Sequence, residues 1–137
     1  MKKSFFSLTA LLFVALSFTA CKKDEKSFEE KVIGEWHSVQ VKINGNDVTD
    51  YFIFDLQLEQ DKSFDATLKI VTFPSGQAGV TNPKGEWTAD DSSQNLDLTY
   101  DDSQETESYE VLELSDTEMK VKTKQNDDQI EITFEKL

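Results

Sequence analysis

The sequence predicts an all-β fold, an eight-stranded antiparallel up-and-down barrel with a short N-terminal helix. From residue 36 onward, apolar and polar residues alternate with the period of two that is typical of strands with one buried face. Turn-forming residues interrupt this alternation often enough to predict eight strands. A sheet of short strands with one solvent-exposed face must close into a barrel or stack on a second sheet to protect its edge strands. Eight strands in a meander favour a barrel.

The helix is predicted over residues 28–33. Ser27 and Glu30 have the spacing of a capping box, Phe28 and Val32 share one face, and Gly34 stands where a helix C-terminal glycine belongs. We expect this helix to lie against one end of the domain.

The eight strands are predicted over residues 36–43, 50–59, 63–73, 85–90, 95–101, 107–114, 118–124 and 129–136. The turn at 126–128 sets the register of the last two strands. It pairs Val121 with Ile132 and Met119 with Phe134 inside the barrel, and it places Lys122 opposite Glu131 outside.

Trp36 does not share the phase of its strand, because Val39, Val41 and Ile43 point to the opposite face. Either a bulge shifts the phase or Trp36 caps the end of the barrel. We expect the cap, since the strand has barely begun at residue 36.

Residues 1–20 have the anatomy of a secretory signal peptide. Lys2 and Lys3 precede an uncharged, mostly apolar stretch of sixteen residues that ends in small or hydroxyl residues. That stretch is short for a transmembrane anchor, which needs about 20 apolar residues.

The only cysteine, Cys21, follows this segment in the tetrapeptide Phe18-Thr19-Ala20-Cys21. The tetrapeptide resembles the bacterial lipobox, although Phe18 replaces the usual Leu, Val or Ile. The resemblance implies a cleaved, lipidated Cys21 that anchors the protein to a membrane. Residues 21–27 then form a charged tether, and Lys22, Lys23, Asp24 and Glu25 resemble the signal that exports Bacteroidetes lipoproteins to the cell surface. An ordinary solvated linker is the alternative.

Composition excludes one class of partner. The chain carries 14 basic residues, all of them Lys, against 27 acidic ones, for a net charge of -13. Nucleic acid is therefore not an expected partner. One Cys and one His are too few for a structural zinc site, so neither a metal nor a cofactor is predicted.

A family resemblance appears where the helix meets the first strand. Gly34 and Trp36 match the Gly-x-Trp signature that opens lipocalins, and residues 31–137 are similar to the lipocalin-like domains of Bacteroidetes lipoproteins. The predicted domain, with its helix, covers residues 28–137. Gly85-Glu86-Trp87 repeats the tripeptide. The chain lacks the two cysteines and the arginine that buttress many lipocalins. The resemblance implies a calycin-type barrel that binds an apolar ligand.

Catalysis is not predicted, because His37 has no companion in the sequence to act as nucleophile or orienting group. The acidic pairs at turns, Asp90-Asp91, Asp101-Asp102 and Asp127-Asp128, lack the spacing of a calcium loop. We interpret them as solvated turns.

The candidate ligand site lies between the second and third predicted strands. We expect an apolar pocket covered by the loop from Pro74 to Gly85, because long loops cluster where such barrels open. The predicted pocket residues are Phe52, Phe54, Leu68, Ile70 and Trp87. Acidic turns at the rim favour a neutral or cationic ligand over an anionic one.

Two functional hypotheses follow. The first is a surface-exposed outer-membrane lipoprotein whose barrel binds a small apolar molecule or a partner. The second is a protein-interaction or inhibitor module whose barrel is filled by its own side chains, since an eight-stranded barrel has little interior space.

Overall fold

The computed structural model describes residues 25–71 and 78–137. The predicted signal peptide, the lipid attachment at Cys21 and the export residues Lys22, Lys23 and Asp24 lie outside these residues. Glu25, the last of the export residues, is exposed. No helix in the described ranges is both long and apolar enough to cross a membrane.

Helix α1 (Phe28–Val32) is followed by ten described strands and one 3-10 turn (Thr49–Tyr51). The strands are β1 (Gly34–Ile43), β2 (Asn46–Asp47), β3 (Phe52–Leu58), β4 (Ser63–Val71), β5 (Ala78–Thr81), β6 (Lys84–Asp90), β7 (Asn95–Tyr100), β8 (Thr106–Leu114), β9 (Glu118–Gln125) and β10 (Asp128–Lys136). Eight of them form a closed antiparallel barrel in the order β1-β3-β4-β6-β7-β8-β9-β10, and β10 pairs with β1. The predicted fold class is therefore confirmed, and only the short β2 and β5 were missed.

The last hairpin has the predicted register. Val121 pairs with Ile132, Met119 with Phe134, and Lys122 with Glu131. Val121, Met119 and Phe134 are buried, so the alternation correctly identified the inner face.

Helix α1 closes one end of the barrel, which we call the helix end. Its capping box is present, since Glu30 N donates to Ser27 Oγ and Ser27 N donates to Glu30 Oε2. Phe28 and Val32 are buried in the core. Gly34 follows with a φ of 138°, a conformation that favours glycine, and it turns the chain from the helix into β1. We call the opposite end of the barrel the cavity end.

The expectation for Trp36 was wrong, because β1 contains a bulge. The register of β1 against β10 shifts between Ser38 and Gln40. Trp36 and Ser38 point inward before the bulge and Val41 points inward after it, while Val39 is exposed. One extra residue on a strand reverses the face of every residue that follows, so Trp36 is a core residue of β1.

The predicted loop from Pro74 to Gly85 is also corrected. Residues 78–81 form β5 and residues 84–85 belong to β6, while residues 74–77 lie outside the described part of the chain. Strands β5 and β6 pair with β4 in one continuous register, from Leu68 opposite Thr81 to Asp65 opposite Lys84. They are one strand interrupted at Pro83, which accepts a bond from Ala66 N but has no N–H to donate.

Candidate ligand-binding cavity

A cavity of about 210 Å³ occupies the cavity end of the barrel interior. Its lining is mainly apolar and comes from seven of the eight barrel strands together with Pro83. The lining residues are Val41, Ile43, Phe52, Phe54, Leu68, Ile70, Pro83, Tyr100, Glu107, Tyr109, Thr123, Gln125, Ile130 and Ile132.

Four of the five predicted pocket residues meet in this lining. Phe52 lies opposite Ile70, and Phe54 lies opposite Leu68, as cross-strand pairs of β3 and β4. Side chains two residues apart on a strand share a face, so both pairs point into the same space. Whether these residues bind a ligand stays a prediction.

The floor of the cavity is a packed core. Phe54 and Phe134 meet with ring centroids 5.6 Å apart. Among the residues beneath them, including Leu56, Leu98 and Met119, no space remains for a water-sized sphere. An apolar interior packed this densely keeps neither water nor ligand, so the cavity is confined to one end of the barrel.

Trp87 does not border the cavity, contrary to the prediction. It is fully buried near the helix end, where its Nε1–H donates to Glu59 O at 2.9 Å. Lys62 Nζ lies 4.2 Å from the centroid of its ring. The register of β6 places it there, because β6 pairs with β4 only over Ser63–Asp65, the part of β4 nearest the helix end.

The other Gly-Glu-Trp tripeptide has a parallel environment. Trp36 Nε1–H donates to Val32 O at 2.7 Å, and Lys136 Nζ lies 4.6 Å from its ring centroid. Lys136 Nζ also donates to Lys31 O and Ile33 O, at 3.0 and 2.8 Å. Although this chain has no arginine, a cation therefore covers Trp36 and links β10 to the end of α1. Burial lowers the pKa of Lys136.

One wall of the cavity carries a polar cluster that was not predicted. Glu107 Oε2 accepts hydrogen bonds from Tyr100 Oη at 2.7 Å and from Tyr109 Oη at 2.6 Å. Glu107 Oε1 accepts one from Gln125 Nε2 at 2.9 Å. We call these four residues the Glu107 cluster. The cluster fixes a carboxylate at the edge of an otherwise mainly apolar cavity.

Both phenols of the Glu107 cluster are held in their neutral form. Burial, followed by the hydrogen bond to Glu107, raises the pKa of Tyr100. Burial, followed by the electrostatic influence of Tyr100 and Glu107, raises the pKa of Tyr109. The tyrosines therefore act as hydrogen-bond donors to the carboxylate at physiological pH.

A signal for the Glu107 cluster was present in the sequence. Glu107, Tyr109 and Val111 follow one another at period two, so Glu107 shares the inward face of two apolar residues. An acidic residue on an inward face needs a partner or a function. Its partners lie on β7 and β9, and only the folded barrel brings the three strands together.

His37 lies on the outside of the barrel, where its Nδ1 is 2.5 Å from Asp55 Oδ1 on the neighbouring strand. Two of the acidic turns hold internal hydrogen bonds, since Asp90 Oδ1 accepts from Ser92 and Asp102 Oδ1 accepts from Ser103 N. In the third, Asp128 Oδ1 accepts a hydrogen bond from Asn44 Nδ2. Within residues 25–71 and 78–137, no three His, Cys, Asp or Glu side chains are grouped closely enough to hold a metal ion.

Several solved structures share this architecture. A lipocalin-like protein from Bacteroides uniformis is 15% identical with a TM-score of 0.53, over 78% of this chain and 99% of that one. Bovine odorant binding protein is 16% identical in a complex with a selenium-containing odorant, with a TM-score of 0.52 over 82% of this chain and 74% of that one. The complex of the same bovine protein with undecanal is 16% identical with a TM-score of 0.50, over 76% of this chain and 70% of that one.

No model of a known protein family matches the sequence, and no protein of curated function matches it either. The structural similarity, at this level of identity, concerns the fold. The chain thus has a lipocalin-like antiparallel β-barrel fold.

Proposed function

We propose that this protein binds a small apolar molecule in the cavity of its barrel, without catalysis. The observation that carries the proposal is the cavity itself: it is enclosed by paired strands, lined mainly by apolar side chains, and confined to the end away from α1. The similar bovine barrels were solved with an odorant and with undecanal bound, which supports this use of the fold.

The volume limits the ligand. A cavity of about 150 Å³ in another protein holds benzene, whereas pockets for drug-sized molecules begin near 300 Å³. At about 210 Å³, this cavity fits a ligand of about 8 to 10 non-hydrogen atoms by the same scaling. One ring with a short chain, or an aliphatic chain of that size, is the expected class.

The alternative, an interaction module with a filled barrel, has less support. Its requirement of a dry, filled interior is met beneath the cavity, around Leu56, Leu98 and Met119, where no water-sized space remains. It is not met at the cavity end.

Calorimetric titration of the protein with propylbenzene tests the proposal. Ile70 lines the cavity, and Val80 is exposed on the neighbouring strand β5. We expect Ile70→Trp to abolish saturable binding by filling the cavity. Val80→Trp adds the same ring outside and should leave the affinity unchanged. Equal binding by the wild type and both variants would contradict the proposed site.

We further propose that the protein is a lipoprotein of the outer membrane, displayed on the cell surface. The sequence motif at Cys21 and the Lys22–Glu25 tract support this proposal. Metabolic labelling with an alkynyl fatty acid should mark the protein and should fail for Cys21→Ser. Protease added to intact cells should digest the wild type and spare a variant in which Lys23, Asp24 and Glu25 are replaced by Ala. Labelling of Cys21→Ser would overturn the proposed lipid attachment. Equal protection of both proteins from protease would overturn the proposed surface display.

A further inference from the structure

We infer that the ligand of this cavity carries a cationic head, a primary ammonium group that pairs with Glu107. The inference rests on the proposed function and specifies its ligand. Glu107 is half-buried, and its side chain lines the cavity beside Phe52, Leu68 and Ile130. A ligand in the cavity therefore meets the carboxylate on one side and apolar side chains on the other.

The hydrogen bonds of Glu107 leave room for one more donor. A carboxylate has about four lone-pair sites. Tyr100 and Tyr109 occupy two at Oε2, and Gln125 occupies one at Oε1. These bonds hold the carboxylate in place through side chains from β7, β8 and β9. The remaining site on Oε1 can accept a hydrogen bond from a ligand.

The charge of Glu107 is not balanced by its partners, because two phenols and an amide are all neutral. Among the described lining residues Glu107 is the only charged one. The nearest lysine along β9, Lys124, is exposed and does not line the cavity, and Lys122 pairs with Glu110 on the outer face at 3.3 Å. The segment 72–77 contains no basic residue in its sequence. A partly buried charge that has donors but no countercharge favours a cation as the missing partner.

The loops at the cavity end act in the same direction. The segments that join the barrel strands there include residues 44–51, 78–83, 101–105 and 126–127, and these contain six acidic residues and no Lys. Such a potential draws cations toward the cavity and repels carboxylates. The loops alone would not define a site; they reinforce the preference that Glu107 defines inside it.

Four probes of similar shape test the inference: propylbenzene, 2-phenylethanol, 2-phenylethylammonium and phenylacetate. Each is a single ring with a two-carbon or three-carbon chain and about 9 or 10 non-hydrogen atoms, so all satisfy the volume limit. We expect 2-phenylethylammonium to bind about 10-fold more tightly than 2-phenylethanol, as a hydrogen bond to a charged group implies. Binding of phenylacetate should be the weakest, because its carboxylate is repelled by Glu107.

Two variants locate the preference. Glu107→Gln keeps the shape and an acceptor oxygen for the tyrosines, and it should bring the ammonium and alcohol probes to within about twofold of each other. Glu110→Gln makes the same change of net charge on the outer face of the same strand, and it should retain the preference. Equal losses in both variants would mean that net charge alone selects the cation, which would overturn the inference.

The remaining outcomes separate the two proposals. Propylbenzene that does not bind the wild type contradicts the proposed function. If propylbenzene binds but 2-phenylethylammonium binds no more tightly than propylbenzene, only the present inference is contradicted. The same holds if 2-phenylethanol binds as tightly as 2-phenylethylammonium. If Glu107→Gln fails to fold, carbon-13 NMR of the wild-type Glu107 carboxyl replaces it: the resonance should shift with 2-phenylethylammonium and stay unmoved with propylbenzene. An unmoved resonance with the ammonium probe would also overturn the inference.

Discussion

The two ends of this barrel use large side chains in opposite ways. At the helix end, Trp36 and Trp87 are fully buried, and each indole N–H donates to a backbone carbonyl. At the cavity end, Phe52, Leu68 and Ile70 are only partly buried and surround unfilled space. Filled, hydrogen-bonded interiors contribute most to stability. We therefore expect the helix end to stabilise the fold, so that the cavity end can remain free for a ligand.

The largest expected effect comes from truncation at each end. Trp36→Ala should lower the free energy of unfolding by about 3–5 kcal/mol, because it leaves a cavity in a packed core. Ile43→Ala enlarges a cavity that already exists, and it should cost no more than about 2 kcal/mol. Urea unfolding of both variants measures the difference. Equal losses would break the comparison between the two ends.

A second test uses two glycines. A Cβ at Gly85 would lie 1.9 Å from Thr99 O, a backbone atom, whereas one at Gly79 meets nothing within 4 Å. We expect Gly85→Ala to lower the free energy of unfolding by about 3 kcal/mol, and Gly79→Ala to change it by less than about 1. Thermal unfolding of the two variants provides the measurement. A harmless Gly85→Ala would show that β6 and β7 are not as tightly apposed as described.

A third test compares the two lysines that lie over tryptophan rings. Lys136→Met removes the donor to two carbonyls at the end of α1, and we expect a loss of about 1–2 kcal/mol. Lys62→Met removes the cation over Trp87 and an exposed ion pair with Glu29 but no donor to the end of α1, and it should cost less than about 1 kcal/mol. Hydrogen exchange of the Trp36 indole should accelerate in Lys136→Met alone. Similar exchange in both variants would deny Lys136 its role in closing the helix end.

The smallest effect is confined to alkaline pH at the cavity end. Tyr109 has a raised pKa in the folded state, so it stays protonated in the folded protein while it ionises in the unfolded one. Its contribution to stability is complete below pH 10 and declines as the pH rises further, by about 1 kcal/mol at pH 11. Tyr109→Phe should flatten this decline in unfolding experiments between pH 8 and 11. Tyr51→Phe, at an exposed position, should leave the slope unchanged. A similar flattening in Tyr51→Phe would mean that the decline does not come from the burial of Tyr109.

The sequence predicted what depends on neighbouring residues along the chain. Period-two alternation identified the barrel strands, and a short turn set the pairing of Val121 with Ile132. The phase of Trp36 against Val41 allowed either a bulge or a cap, and the sequence could not decide between them, because the choice depends on how β1 pairs with β10.

The sequence could not supply the position of each inward-facing residue along the barrel axis. Trp87 points inward as expected, yet the stagger of β6 against β4 places it near the helix end. Phe54 and Leu68 are direct cross-strand partners, and both line the cavity. The Glu107 cluster joins three strands, and such a contact depends on barrel closure.

Helix α1 also determines which way the barrel faces. The charged tether reaches the domain at Ser27, directly before α1 at the helix end. Under the proposed attachment at Cys21, the helix end lies next to the lipid bilayer. Strand β1 has ten residues, so the far rim stands about 25 Å further out, given about 3.3 Å per residue and a typical strand tilt. The barrel would then collect its ligand from the surrounding medium, and the anchored chain would act as a receptor turned outward from the cell.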